Sequence, residues 1–401
     1  MSVRAAPVPA GSRTLERLAL PFLERALAGL EGGTLEVELP GGELRRFGTG
    51  APVRLAIHDP AFFTRIATRG KLGLGESYTA DEWDADDLVA LFELLLRNAD
   101  AAAERHARLR RLLELRPRLH RRNGLRRARR NIAYHYDLGN ELFALMLDET
   151  MTYSCALFER PELTLAEAQR AKIERLCRLL DLGPEDHVLE IGCGWGSFAR
   201  HAAETRGCRV TGITISHEQA VVARERTWGL PVEILEQDYR HVEGRYTKVV
   251  SIEMLEAIGA DQFGTYFATI DRVLAPGGRA AVQTILVPDQ RWRRYRSTPD
   301  WIERYIFPGC LIPSLESLAR AATRHSRLGI YGVDEIGEHY AETLRRWRGN
   351  FHARIEDVRR LGYDRHFERS WDFYLAFCEA AFRLRALRDV QLLLARPGSM
   401  A

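Results

Sequence analysis

The stretch His187-Val-Leu-Glu-Ile-Gly-Cys-Gly-Trp-Gly196 decides how this chain is read. Its first five residues form a short apolar run of strand type, and residues 197–205 carry helical spacing, so three glycines stand in the turn between a strand and a helix. Glycine lets the backbone turn tightly and approach a ligand with no Cβ in the way, and the following helix offers unpaired N–H groups. Outward from this turn the pattern continues. Leu165–Leu180 precedes it as a helix; residues 208–215, 232–235, 248–252 and 279–286 follow as strands, with a helix at 262–274 before Pro276-Gly277-Gly278. Such alternation predicts an α/β fold with a doubly wound parallel sheet, and ligands of such sheets bind at the carboxyl ends of the strands where the strand order reverses. The glycine spacing is GxGxG rather than the GxGxxG dinucleotide fingerprint, and no acidic residue ends the second strand, where residues 211–216 stand instead. A small nucleoside fits this turn better than a dinucleotide.

Length and composition set the outer bounds. The chain has 401 residues, 46% hydrophobic, 28% charged and 9% aromatic, as expected of two or three globular domains and unlike disordered or collagenous chains. No apolar run approaches the roughly 20 residues that span a bilayer, and no secretory signal is read. A net charge of +3 excludes a polycation, but the charge is uneven: twelve arginines lie between Arg105 and Arg130, against Glu104 and Glu114. That field attracts phosphates of lipid headgroups or nucleic acid, or else marks a solvated helix face. The cysteines show no CxxC pair and no zinc-ligand set, so no metal site is expected and a reducing cytosol fits. Residues 1–125 read as a smaller N-terminal domain, with a hairpin at 34–46 around Pro40-Gly41-Gly42, a helix at 88–96 and a linker near Asn123-Gly124; residues 126–401 read as the second domain.

Six further segments stand around the glycine turn: Leu72-Gly-Leu-Gly-Glu-Ser-Tyr78, Ile132-Ala-Tyr-His-Tyr-Asp-Leu-Gly-Asn140, Met151-Thr-Tyr-Ser-Cys-Ala156, Thr214-Ile-Ser-His-Glu-Gln219, Val250-Ser-Ile-Glu-Met-Leu-Glu-Ala-Ile-Gly259 and Tyr305-Ile-Phe-Pro-Gly309. With them the loop resembles the donor site of class I S-adenosylmethionine-dependent methyltransferases, and the whole resembles the cyclopropane-fatty-acid synthases, including the mycolic acid cyclopropane synthases. The resemblance runs from about residue 60 to 396. It implies a Rossmann-like methyltransferase domain with helical lipid-binding insertions. The implied activity is transfer of a methylene from S-adenosylmethionine to the cis double bond of an unsaturated phospholipid acyl chain, as a cyclopropane-fatty-acyl-phospholipid synthase does.

Carried over residue by residue, the resemblance places Tyr153 and Ser154 at the donor's amino-acid part and Gly192, Gly194 and Gly196 where the donor meets the first strand. It places Thr214, Ile215 and Gln219 near the ribose, and Asp238 and Tyr239 at the adenine. Methylating an isolated alkene creates a carbocation that must be kept from water and must lose a proton. The resemblance implies that bound bicarbonate takes it, held by Cys155, Glu256, Ile285 and Tyr340. Chemically, Glu256 can accept a hydrogen bond from protonated bicarbonate, Tyr340 can donate one, and Cys155 can offer its backbone N–H. Tyr134, Tyr136, Phe158 and Phe307 offer aromatic faces to the sulfonium and the cation, or pack as ordinary core.

Two positions depart from the bacterial pattern. Gln283 stands where the familiar enzymes carry a histidine, as the plant-type members also do; it can hydrogen-bond an anion but cannot take up a proton. Glu253 replaces a glycine and adds a second carboxylate three residues before Glu256, a spacing that on a helical turn brings the two onto one side. It tunes the base or redirects deprotonation toward a methylene- or methyl-branched chain. The stretch Gln290-Arg-Trp-Arg-Arg-Tyr-Arg296 interleaves charge with Trp292 and Tyr295, as at a lipid interface or on a solvated helix with two packed aromatics. The expected partner is an unsaturated phospholipid at the inner face of the membrane, bound peripherally from the cytoplasm, and the family suggests a homodimer. A nucleic-acid methyltransferase is disfavoured because Ser251-Ile-Glu-Met254 replaces an NPPY-type segment, and a protein that binds the donor without catalysis is the remaining rival.

Overall fold

The computed structural model describes residues 21, 24, 25, 27–99, 139–297 and 300–399. The arginine-rich stretch, the linker at Asn123-Gly124, and Tyr134 and Tyr136 lie outside the described residues. The chain divides into two units, Met1–Leu119 with Gly362–Leu384, and His120–Leu361 with Arg385–Ala401.

In the first unit, β1 (Gly33–Glu38) pairs antiparallel with β2 (Leu44–Thr49), across a turn in which Gly42 takes φ +82°. This is the hairpin that the alternation predicts. Beyond it, β3 (Pro52–Ile57) runs parallel to β1, and β4 (Trp83–Ala85) closes the order β2-β1-β3-β4. The helix Leu88–Arg97 starts at Asp87, whose side chain accepts from the Ala90 N–H. Its buried stripe includes Phe92, packed edge-on against Phe373 at 4.8 Å and Phe377 at 5.5 Å.

Those two rings belong to the helix Arg365–Arg383, which lies far along the chain, in the part read from the sequence as the second domain. Its buried Arg369 donates to the carbonyls of Tyr78 and Trp83 and to Asp84, and Asp372 accepts from the Tyr78 hydroxyl at 2.8 Å. A helix with such a stripe needs an aromatic partner face, and the first unit supplies it.

The second unit is built on a seven-stranded sheet. Its strands are β5 (His187–Ile191), β6 (Arg209–Thr214), β7 (Val232–Glu236), β8 (Tyr246–Ile252), β9 (Leu274–Leu286), β10 (Gly329–Glu335) and β11 (Arg388–Ala395). The order is β10-β11-β9-β8-β5-β6-β7. From β9 to β7 the pairs are parallel; β11 runs antiparallel to β9 and β10. The five parallel strands sit where apolar runs predicted them: the inner ones are largely buried and read as continuous apolar segments, and β7 is a partly exposed edge. Strands β10 and β11 escaped that reading, since β10 alternates exposed and half-buried residues and β11 holds Asp389 and Gln391 in the core.

Helices cover both faces. Leu165–Leu180 opens with a capping box between Thr164 and Glu167, and buries Ile173, Leu176, Cys177 and Leu180 with Val188, Val210 and Val250. On the other face Phe263–Val273 and Leu315–His325 pack with the strand residues Leu189, Val249 and Val282. The helix Asp289–Tyr295 covers the Gln290 to Arg296 stretch, and its Trp292 packs on this core, stacked on Phe263 at 6.4 Å.

Phe92→Ala is expected to destabilise the first unit by about 3–5 kcal/mol, the usual cost of emptying a buried phenylalanine site. The exposed Leu44→Ala should change it by less than about 0.5 kcal/mol. Denaturant unfolding followed by far-ultraviolet circular dichroism measures both.

Candidate active site

The strand order reverses at β5, which has β6 on one side and β8 on the other. The glycine turn leaves the carboxyl end of this strand, at the crevice where doubly wound sheets bind ligands. Gly192 N and Cys193 N both donate to Ile213 O, at 2.9 and 3.0 Å, and Gly196 N donates to Cys193 O at 2.9 Å. Gly192, Gly194 and Gly196 take φ of +85°, +51° and +82°. A Cβ on Gly192 would lie 2.8 Å from the Met254 side chain, whereas a Cβ on Gly194 would meet no atom within 4 Å. The turn is therefore tight on one side and open on the other.

Of the residues expected at the donor, Thr214, Ile215, Gln219, Asp238 and Tyr239 stand at or just after the carboxyl ends of β6 and β7, as the glycine turn stands after β5. Tyr153 packs between Phe143 at 5.2 Å and Trp347 at 5.0 Å, and Trp195 donates to Asn140. The Thr214 hydroxyl donates to Gln219 Oε1 at 2.9 Å, which orients that amide, and Ile215 continues the loop after β6. Asp238 follows β7 and is held by Arg240; the next residue, Tyr239, is buried with its hydroxyl unpartnered. The Ser154 hydroxyl accepts from Lys172 Nζ at 2.6 Å. Lys172, one of three lysines in the chain, is wholly buried on the helix Leu165–Leu180. Burial pulls its ammonium down, against the support of Glu253, Cys155 and Asp389.

A second constellation gathers at the end of β8. Glu253 follows this strand with φ +47°, the left-handed region that favours glycine and costs a side-chain-bearing residue about 1–2 kcal/mol. Its Oε1 accepts from the Cys155 backbone N–H and from Gln283 Nε2, both at 2.8 Å, and its Oε2 accepts from the Tyr340 hydroxyl at 2.6 Å. Three of the donors expected on bicarbonate thus close on a carboxylate of the chain itself. With those donors taken, the cluster does not fit a separate bicarbonate at that point.

Glu256 goes elsewhere. Its Oε1 accepts from the Thr284 hydroxyl at 2.9 Å and the Ile285 N–H at 2.5 Å, while Oε2 has no partner. The two glutamates do not share a helical turn as their spacing suggested: left-handed Glu253 ends the strand, Glu256 lies in the short turn Leu255–Ala257, and their carboxylates bond different residues of β9, Gln283 for Glu253 and Thr284 with Ile285 for Glu256. Burial, reinforced by the charge of Glu253, pushes the Glu256 carboxyl up to about 8.

Behind them lies a residue that sequence reasoning missed. Asp389, the second residue of β11, is fully buried, and its Oδ2 accepts from Gln283 Nε2 at 3.0 Å. Its register opposite Ile285 brings it beside the carboxyl end of β9, so the only signal would have been recognition of β11 as a core strand. One face of the Phe158 ring lies beneath the guanidinium of Arg346 at 4.4 Å.

The model of the mycolic acid cyclopropane synthetase family matches residues 123–392. The chain belongs to this family. It is a methyltransferase of the S-adenosylmethionine-dependent kind. It is 43% identical over 360 residues to the tuberculostearic acid methyltransferase UfaA1 of Mycobacterium tuberculosis, covering 86% of this chain and 83% of that one. It is 37% identical to the cyclopropane-fatty-acyl-phospholipid synthase of Escherichia coli strain K12, covering 85% and 87%. Among solved structures, mycolic acid cyclopropane synthase CmaA1 complexed with SAH and CTAB matches with a TM-score of 0.62 and 29% identity, over 66% of this chain and 97% of that one.

Glu256 gives the family site a pH signature. The free side chain titrates near 4.5 and the folded one near 8, so between those values the folded state binds more protons than the unfolded state. Stability from this group is therefore full below about pH 4.5 and falls as pH rises toward about 8. Glu256→Gln, which keeps the Oε1 acceptor, should make the decline of thermal midpoint with pH shallower across that window.

Proposed function

We propose that this methyltransferase acts on the cis double bond of an unsaturated phospholipid acyl chain, and that Glu253 is the base that deprotonates the resulting cation. The observation that carries this is the convergence of Cys155 N, Gln283 Nε2 and the Tyr340 hydroxyl on the Glu253 carboxylate. S-adenosylmethionine supplies an electrophilic methyl group on a sulfonium. The open side of the Gly194 turn, with Tyr153, Ser154, Gly192, Gly196, Thr214, Ile215, Gln219, Asp238 and Tyr239, would hold it. The alkene π pair forms the bond to the methyl carbon as the sulfur–carbon bond breaks, and positive charge appears on the other alkene carbon. A half-buried carboxylate held by three donors favours that charge and takes the proton.

Two products are open to the cation. Loss of a methyl proton with ring closure gives a cyclopropane; a hydride shift before that loss gives a methylene branch. A tethered base approaches from one direction, so the product depends on which conformation of the cation reaches it. Glu253 at a position where the resemblance carries glycine, with the 43% identity to a tuberculostearic acid methyltransferase, favours the branched product. The 37% identity to a cyclopropane-fatty-acyl-phospholipid synthase keeps ring formation as the second reading. Expression in a host without its own cyclopropane synthase, followed by mass spectrometry and chromatography against both standards, decides between them.

Glu253→Gln should lower turnover about 10²–10⁴-fold, the usual contribution of a positioned base, with donor affinity unchanged. Turnover within threefold of wild type would remove Glu253 from the chemistry. Among the described residues no helix is long and apolar enough to cross a membrane, so access to the acyl chain is proposed to be peripheral. The basic segments 105–130 and 290–296 support attraction to anionic headgroups at the inner face of the membrane. Binding to anionic vesicles should then weaken severalfold between roughly 0.05 and 0.5 M salt, and salt-independent binding would refute this.

A further inference from the structure

The buried side chains around Glu253 outnumber those the chemistry uses. A line of amides leads to it from a surface arginine. Arg175 Nε donates to Gln391 Oε1 at 3.0 Å, Gln391 Nε2 donates to Gln283 Oε1 at 3.1 Å, and Gln283 Nε2 donates to Glu253 at 2.8 Å and to Asp389 at 3.0 Å. A guanidinium can only donate, so it turns the oxygen of Gln391 toward itself. That turns the nitrogen of Gln391 onto the oxygen of Gln283, and the nitrogen of Gln283 onto the carboxyl pair. One amide nitrogen thus divides its two hydrogens between two carboxyl groups.

The remaining surroundings of Asp389 are poor in positive charge. Glu253 and Glu256 face it from the end of β8, Lys172 from the helix Leu165–Leu180, and the Cys155 thiol from its loop. Tyr340 reaches the pair through Glu253, and Arg388 turns outward to Glu335. Among the described residues three carboxyl groups therefore share one lysine, in a place where Asp389 is fully buried and its Oδ1 has no hydrogen-bond partner. Two carboxyl groups drawn onto one amide nitrogen, one of them fully buried, are disfavoured as a doubly ionised pair.

Resting on the reading of Glu253 as base, we propose that Asp389 is a positioning residue: it carries a proton in the resting enzyme and so keeps Glu253 ionised and ready to accept one. The protonated Asp389 donates its O–H to the Glu253 carboxylate, and Gln283 holds both groups in register. When Glu253 takes the substrate proton the pair holds two protons, and one leaves to solvent before the next turnover. Burial, with the charges of Glu253 and Glu256, raises the Asp389 carboxyl well above the usual range, in keeping with this state.

The test uses the full-length enzyme and two variants. Asp389→Asn presents a neutral donor and acceptor of the same shape; Asp389→Ala removes the donor. In the pH profile of kcat with phospholipid vesicles, Asp389→Asn should keep the acidic limb where wild type has it. Asp389→Ala should move that limb up by about one pH unit or more, about a tenfold loss on the acid side, with KM for the donor unchanged. Equal limbs in wild type and Asp389→Ala, or a displaced limb in Asp389→Asn, overturn the proposal. An infrared difference spectrum of wild type minus Asp389→Asn at neutral pH reads the proton directly, without turnover. It should contain the C=O band of a protonated carboxyl; a carboxylate band in its place overturns the proposal even if Asp389→Ala does not fold. Failure of the base reading, shown by near-wild-type turnover of Glu253→Gln, would leave the band of wild type minus Asp389→Asn in place, so the two failures are distinguishable.

Discussion

The carboxylate of Glu253 is the constraint on which the catalytic unit is organised. It stands at a left-handed backbone position at the end of β8 and is held by three donors from three segments, the loop at Cys155, the strand β9 and the helix Glu338–Ala353. None of these segments is adjacent to it in sequence. The backbone strain of a non-glycine residue there is small beside hydrogen bonds to a charged acceptor, each worth about 1.5–3 kcal/mol when made and more when a buried partner is left without one. The geometry of the site is thus over-determined, and a group so held does not need to reorganise as charge develops beside it.

Electrostatics extend the same constraint inward. Lys172 is the buried cation of this cluster and is tied to Ser154, so the loop expected at the methyl donor and the carboxyl groups expected at the acceptor share a counter-charge. The proposed chemistry through a carbocation gains from surplus negative charge and from the absence of water, but that surplus is costly in the resting state. Protonation of the carboxyls least needed as anions relieves it. The raised values of Glu256 and Asp389 express this balance.

The path of the chain explains why the site is hard to read linearly. After the helix Glu338–Ala353 the polypeptide leaves for the helix Arg365–Arg383 of the first unit, and it returns only at β11. That last strand enters between β9 and β10 and brings Asp389 and Gln391 into contact with Gln283. The helix is kept in the first unit by Arg369 and by aromatic packing on Phe92, interactions that have nothing to do with methyl transfer. Two separate folding requirements therefore alternate along one stretch of sequence.

By itself the sequence determined the strand–glycine–helix turn at Gly192 to Gly196 and the parallel part of the sheet, because these depend on local spacing and on apolar runs. It also carried the family resemblance, which named Cys155, Glu256, Gln283, Ile285 and Tyr340 as one cluster. Only the tertiary structure decided that this set divides, with Glu256 bound to Thr284 and Ile285 and with Glu253 receiving Cys155, Gln283 and Tyr340. The same holds for Lys172 and Asp389, a lysine on a helix and an aspartate in a strand that look like surface residues by composition. Burial, register and hydrogen-bond direction are properties of contacts between residues 18 to 106 positions apart, and no periodicity in the chain encodes them.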